Sequence, residues 1–478
     1  MVGRGSFRKK MITAVTAVMV TLAVPTSVLA VTNQTVKEVR DMLSKHHLSG
    51  VTADQLANMS ITQMIEKLDD PYTSFFTADE MKRFLALVDN TYVGVGIQLA
   101  VDTKGILIQQ VFSDSPADKA GLVAGDYIYA VNEEPIGSLT SADVSKRIAG
   151  KENTVVMITV DRNGKKLDYP MTRKEVKIPV ITTKKFDNGV GYLAMSTFAS
   201  DADEQFAKAM DTFRGSDTKA LIIDLRSNGG GVVSVAENMA KNFIREGEVL
   251  HTLDRNHKDE ITTITDGKTY DKPVFILVNG ESASATELFT GILQDYGKAR
   301  VIGQQSFGKG VMQGLFGLSE GSYLKITTHE YLTPKMHRVN KVGITPDDKV
   351  YGDMAQLIFA LKSADSTHLK LEWSTKGYVL NGIEVGDGTK IERKDNHVYV
   401  QARTAAALLG ATIEWNAELS AVELTTEKGT TTFKEASDSM FRDDLGSSYL
   451  EVTKLLKATD RMTFTDQSNH VTLEVKKE

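Results

Sequence analysis

Apolar residues recur at helical spacing from Val36 to Asn90, through VKEVRDMLSKHHLSGVTADQLANMSITQMIEKL, with no strand-like alternation. The pattern predicts a helical arm over residues 31–84. Thr77 and Glu80 stand at capping-box spacing after LDDPYTSFF. An amphipathic arm without a core of its own needs a surface for its apolar stripe. A homodimer or a dock onto the same chain would each supply one. Strand-like runs follow: YVGVGIQLAV, GILIQQVF, YIYAVNEEPI and TVVMITVDRNGKKLDYPMTR, with one helical piece, SADVSKRIAG. Asp161-Arg162-Asn163-Gly164 is a hairpin turn signal. These runs predict a small β-barrel-like domain over residues 85–174. From about Ile178 strands and helices take turns, through GYLAMSTF, DEQFAKAMDTF, KALIIDLRSNGGG, VAENMAKNFI and PVFILVNG. That order predicts an α/β core over residues 175–362, mainly parallel, with chemistry at the strand ends. Beyond it, HVYVQARTAAALLGATIEWNAELSAVELTT from His397 and SSYLEVTKLLKATDRMTFTDQSNHVTLEV from Ser447 resemble each other. Each reads as a strand, a helix and two strands, so residues 363–478 are expected to form an α+β repeat module. The fold class is therefore multidomain α/β.

Composition narrows the compartment more than the activity. Arg4, Arg8, Lys9 and Lys10 precede the apolar run MITAVTAVMVTLAVPTSVLA, which ends in Val28-Leu29-Ala30. Residues 1–30 thus read as a signal peptide with small side chains at the cleavage site, or as an uncleaved membrane anchor. Either places the rest outside the cytoplasm, secreted or held at the cell envelope. The absence of cysteine excludes disulfides and thiol catalysis. A net charge of −6, from 56 basic and 62 acidic residues, gives no footing for nucleic acid and favours protein or small-molecule partners. His46 and His47 are adjacent, so on a helix they point apart and make no metal pair. No metal or other cofactor is expected.

The stretch SASATELFTGILQDYGKARVIGQQSFGKG, from Ser282 to Gly310, admits two chemistries. GQQSFGKG nearly fits the phosphate-loop pattern GxxxxGK[ST]. Gly310 stands where the magnesium-binding hydroxyl belongs, and strand-like sequence follows in place of a helix. The other reading makes Ser284 a nucleophile at the end of the apolar strand PVFILVNG, with Ala283 and Ala285 leaving room for a substrate backbone and Glu287 favouring a helix start. None of the nine histidines lies in a recognisable hydrolase context. Lys309 can serve as the base if burial lowers its pKa, and its neighbours Phe307, Gly308, Gly310, Val311 and Met312 include no acid. LIIDLRSNGGG, from Leu221 to Gly231, ends in three glycines that free main-chain N–H groups for an oxyanion.

Two resemblances rest on these motifs. GVGI, with SPADKAGLVAGDYIYAVNEEPI from Ser115 to Ile136, resembles a PDZ domain. That implies a carboxylate-binding loop at Gly94, Val95, Gly96 and Ile97 that takes peptide C-termini. SASATE and FGKGVMQ, with Lys309 25 residues beyond Ser284 and DLRSNGGG before both, resemble the carboxy-terminal processing peptidases, or tail-specific proteases. The resemblance spans roughly Val36 to Val350 and takes in LDDPYTSFF and YLTPKMHRVNKVGITPD. It implies an exported serine endopeptidase that cuts protein substrates near their carboxyl end. Ser284 would be the nucleophile, Lys309 the general base and Gln313 the residue that orients it. The Gly230 and Ala285 N–H groups would form the oxyanion hole, and the PDZ domain would capture the substrate tail or gate the site.

The chain departs from that family at Gly229, where proline is frequent, at Thr286, where serine is, and at Met336 or His337, one of which stands where glycine or a small residue is usual. The first C-terminal copy resembles the copper amine oxidase N-terminal-like domain, without a histidine cluster; His397 and His470 read as surface residues, and an envelope polymer or a protein would be its ligand. The alternative from another class is a catalytically inactive PDZ scaffold of the envelope.

Overall fold

The computed structural model describes residues 32–102, 104–364, 368–374, 377–385, 391–394, 396–435, 437–467 and 470–476. The signal-peptide or anchor reading of residues 1–30 falls outside them. Among the described residues no helix is long and apolar enough to cross a membrane.

The α/β core is built on a six-stranded sheet in the order Ile181–Lys185, Val190–Met195, Ala220–Asp224, Val274–Val278, Arg300–Gly303, Asp348–Lys349. The first pair is antiparallel and the other four pairings are parallel. Ala220–Asp224 and Val274–Val278 are buried throughout, as parallel strands covered on both faces must be. Side chains alternate between the faces. Leu221, Ile223, Val274 and Ile276 pack with Phe206, Met239 and Phe289 of the helices Ala202–Arg214, Val233–Ala240 and Ala285–Asp295. Ile222, Phe275 and Leu277 point the other way, against Leu357 and Ile358 of the helix Asp353–Ser363. Leu371, Val400 and Leu450 of the C-terminal module belong to that same cluster, so the module closes the back of the sheet.

Both copies in the module have the expected order: His397–Gln401, Ala402–Leu409, Thr412–Asn416 and Ala421–Thr426, then Ser448–Glu451, Val452–Lys457, Met462–Gln467 and His470–Lys476. Their first strands pair antiparallel, Tyr399 opposite Glu451.

The PDZ unit is a separate sheet, Ile97–Asp102, Gly105–Val111, Tyr127–Val131, Val155–Arg162 and Lys165–Thr172, around Val95, Ile108, Val144 and Ile158. Asn163 at φ 56° and Gly164 at φ 81° form its hairpin turn where the motif predicted one. Entry and exit are zipped together by Thr91–Gly94 against Lys174–Lys177.

The N-terminal arm has its helices at Asn33–His46, Ile61–Lys67 and Ala78–Val88, the last behind the Thr77–Glu80 capping box. Its apolar stripe, Val39, Leu43, Ile61 and Met64, is buried against Leu318, Leu324 and Ile326 of the same chain. The dock is intramolecular, which removes the uncovered stripe that argued for a dimer. LDDPYTSFF lies between the helices, and within it Ser74–Phe76 is a strand, antiparallel to Tyr323–Lys325. The segment thereby lies beside the α/β core.

Candidate active site

The buried strand Val274–Val278 runs into a turn and then the helix Ala285–Asp295, with Ser284 immediately before the helix. Ser284 has φ 58° and ψ −118°, a region that disfavours residues with a Cβ, and it is 8% exposed. Such a backbone costs about 1–3 kcal/mol and holds the Ser284 side chain out of the regular helix. The Ala285 N–H, first in the helix, has no partner within it and lies at its positive end.

The glycine loop fits against this turn. A Cβ on Gly230 would meet Ala283 O at 2.6 Å, Ala285 N at 2.9 Å and Ser284 Cβ at 2.9 Å, so only glycine permits the approach. Asn228, fully buried, fixes the loop. Its carbonyl accepts from Ala283 N–H (3.0 Å) and Thr286 Oγ1 (2.9 Å), and its Nδ2 donates to Met195 O (2.9 Å). Its Oδ1 accepts the Gly230 N–H at 2.9 Å, so that donor is engaged in this conformation.

Ser284 and Lys309 are joined through two buried side chains. Glu287 Oε2 accepts both the Ser284 N–H and the Lys309 N–H at 2.8 Å. Its Oε1 accepts Ser306 Oγ (2.5 Å) and the Gly308 N–H (2.6 Å). Burial pushes the Glu287 carboxyl up from its ordinary value, and these four hydrogen bonds act against the rise. On the carbonyl side, the Tyr331 hydroxyl donates to Ser284 O (2.9 Å) and Lys309 O (3.1 Å). Neither role was read from the sequence, where Glu287 registers only as an acid in a first helical turn and Tyr331 as one more strand residue.

Lys309 is half-buried, and its pKa is lowered from 10.5 to about 8. Burial is the main cause and the charge of Lys325 adds to it, while Asp70 and Glu287 oppose both. Among the described residues no hydrogen bond joins Lys309 Nζ to Ser284 Oγ. Gln313, expected to orient Lys309, donates instead to Val311 O and Thr327 Oγ1, both at 3.3 Å. It follows a bulge in the pairing of Val311–Gly317 with Tyr323–Leu332.

In the PDZ loop, Val95 is fully buried and the Gly96 N–H donates to the Tyr92 hydroxyl at 3.2 Å. Burial pushes that hydroxyl up, with the Gly96 and Ile97 N–H groups acting against it. A cavity of about 910 Å³ runs from Tyr92, Ile97 and Ile148 to Met195, Arg226 and Ser227, at the start of the glycine loop. Ser284 and Lys309 do not line it.

Met336 has φ 65° in the turn where Thr333 O accepts its N–H. Met336 thus holds a left-handed backbone, the conformation that glycine adopts without strain. The neighbouring His337 Nδ1 is hydrogen-bonded to buried Asp295 at 2.9 Å.

Known proteins resemble this chain over the core and the PDZ unit. Residues 189–350 match the model of peptidase family S41 and residues 93–171 that of the PDZ domain; both matches end before the C-terminal module. A probable CtpA-like serine protease of Staphylococcus saprophyticus is 31% identical over 384 residues, 76% of this chain and 78% of that one. A protein of the same description from Staphylococcus epidermidis is 33% identical over 315 residues, 65% of this chain and 64% of that one. Among solved structures, the photosystem II D1 C-terminal processing protease overlaps 66% of this chain and 92% of its own, at 24% identity and a TM-score of 0.44. The relative from Staphylococcus saprophyticus carries the assignment, its 31% identity extending over 76% of this chain and 78% of its own. The chain belongs to peptidase family S41, as a CtpA-like serine peptidase with a PDZ domain.

Proposed function

We propose that the protein is an exported endopeptidase that cuts protein substrates near their carboxyl end through a Ser284–Lys309 dyad. The observation that carries this reading is the shared Glu287 oxygen, which holds the backbones of a strained serine and a lysine of depressed pKa together. Neutral Lys309 takes the proton of Ser284 Oγ as it attacks the scissile carbonyl. The oxyanion forms against the Ala285 N–H, and against the Gly230 N–H once that group turns from Asn228. Lys309 then protonates the leaving amine, and water hydrolyses the acyl-enzyme by the reverse transfers. Gln313 would join Lys309 only after substrate reshapes the bulge beside it. Export rests on the charged and apolar pattern of residues 1–30.

The test treats the mature chain with a fluorophosphonate and maps adducts and the fragments of an unfolded protein by mass spectrometry. A single adduct on Ser284, with cuts starting near the carboxyl end, is the expected result. Label elsewhere with cleavage unaffected would remove Ser284 from the reaction.

In this reading the PDZ groove, between Ile97–Asp102 and the helix Ser141–Ile148, holds the substrate tail, and the cavity leads on toward the glycine loop. The tail carboxylate must displace the Tyr92 hydroxyl from Gly96. Tyr92→Phe is therefore expected to bind peptides with a free C-terminus about three- to tenfold more tightly, the worth of one hydrogen bond. Amidated peptides should be unaffected. Fluorescence anisotropy reads both, and equal affinities for the carboxylate peptide in wild type and variant would place the carboxylate elsewhere.

A further inference from the structure

Lys309 is covered from outside the catalytic core. Its Nζ lies 4.7 Å from the centroid of the Tyr72 ring, and Tyr72 belongs to the N-terminal arm. The ring is held by a chain of polar contacts that starts at the end of the first arm helix. His47 is buried and its Nε2 meets Asp70 Oδ2 at 3.2 Å. Asp70 also accepts the Tyr72 N–H at 3.0 Å and the Thr73 hydroxyl at 2.6 Å. Thr327, on the strand beside the site, donates its N–H to Thr73 Oγ1 (3.1 Å) and accepts the Leu48 N–H (2.9 Å). Burial alone would raise the Asp70 carboxyl, but these donors hold it far below the usual range, so it stays ionised at any working pH. We propose that Tyr72 is a positioning residue which excludes water from Lys309 Nζ, so that docking of the N-terminal arm makes this lysine a base near neutral pH. The proposal rests on the dyad reading above.

The groups facing Lys309 set the sign. From the arm come the Tyr72 ring and the Asp70 charge; from the strand Tyr323–Leu332, Lys325 and Tyr331; from the helix Ala285–Asp295, Glu287. Lys325 is also under arm aromatics, 4.8 Å from the Phe84 centroid and 5.6 Å from that of Phe76. The π face, Asp70 and Glu287 favour the ammonium; burial and Lys325 disfavour it, and burial is the largest influence. Losing the cover therefore raises the lysine pKa, whereas losing only the π face lowers it. Burial pushes the Tyr72 hydroxyl itself up, away from the working range.

The experiment is the pH profile of kcat/KM on an unfolded protein substrate for the full chain and for Tyr72→Phe, Tyr72→Ala and Tyr72→Leu, with thermal melting of each. The limb on which activity rises with pH is expected near pH 8 in the wild type. It should stay there in Tyr72→Phe and move up by one unit or more in Tyr72→Ala, with about a tenfold loss per unit at pH 7 that high pH restores. In Tyr72→Leu, which keeps an apolar cover without a π face, it should hold or move down. An unmoved limb in folded Tyr72→Ala overturns the proposal. If that variant does not fold, an upward shift in Tyr72→Leu overturns it. Activity surviving in Lys309→Ala would instead sink the dyad, which keeps the two failures apart.

Discussion

Lys309→Ala is expected to lower kcat/KM at pH 7.5 by about a thousandfold or more, the size of a lost general base in covalent catalysis. Ser284→Ala should lose as much, and the double variant little further, because in the proposed dyad nucleophile and base act in one step. Lys309→Arg should fare no better, since a guanidinium stays protonated throughout the range. Stability moves the other way. The folded pKa, about 8, lies below the ordinary 10.5, so folding disfavours the ammonium. That cost is present in full below pH 8 and fades as pH rises toward 10.5. Lys309→Met removes the charge and keeps the stem. It should stabilise the core at pH 7 by roughly 1–3 kcal/mol, the lower part of the range applying because the side chain is only half-buried. Urea melts at pH 7 and pH 10.5 check this. A gain equally large at pH 10.5 would assign it to packing, and no gain at either pH would mean the lysine carries no buried-charge cost.

How far the sequence reached depends on the distance over which each feature is encoded. The turn that carries Ser284 was legible because an apolar strand, small residues and a helix start are contiguous, whereas the acids beside Lys309, Glu287 and Asp70, lie far from it in sequence. The repeat after residue 396 was legible because its second copy repeats the order of elements of the first. What covers each face of Ala220–Asp224 was not, since a strand buried on both sides carries no alternation to separate Ile222, packed toward the C-terminal module, from Ile223, packed toward the helices. Tyr72 over Lys309 joins parts of the chain far apart in sequence, and short-range patterns carry no information on such a pairing. The arm's stripe announced that it needed a surface and left open which one; Leu318, Leu324 and Ile326 supply it. The left-handed backbone at Met336 was not legible, because methionine there carries none of the sequence signal that a glycine would give.

Glu287 is the residue whose loss should damage fold and catalysis together. Its four donors, the N–H groups of Ser284, Gly308 and Lys309 and the Ser306 hydroxyl, lie in a site from which water is excluded; Glu287 is 1% exposed. A buried donor left without an acceptor costs about 1–3 kcal/mol. Glu287→Gln keeps the shape but turns one oxygen into an NH2 facing two donors. It is therefore expected to destabilise the core by about 2–5 kcal/mol, a large fraction of a typical domain's stability. Glu287→Ala should be worse, because all four donors lose their acceptor. Since the same oxygen meets both the Ser284 and Lys309 amides, the survivors' kcat should fall by about a hundredfold or more with KM little changed, as expected when reacting groups are misplaced and the binding surface is intact. Denaturant midpoints and kinetics on the folded fraction separate the two effects. A Glu287→Gln enzyme that melts early yet keeps its kcat would make Glu287 a purely structural acceptor and leave Tyr331 as the tie between nucleophile and base.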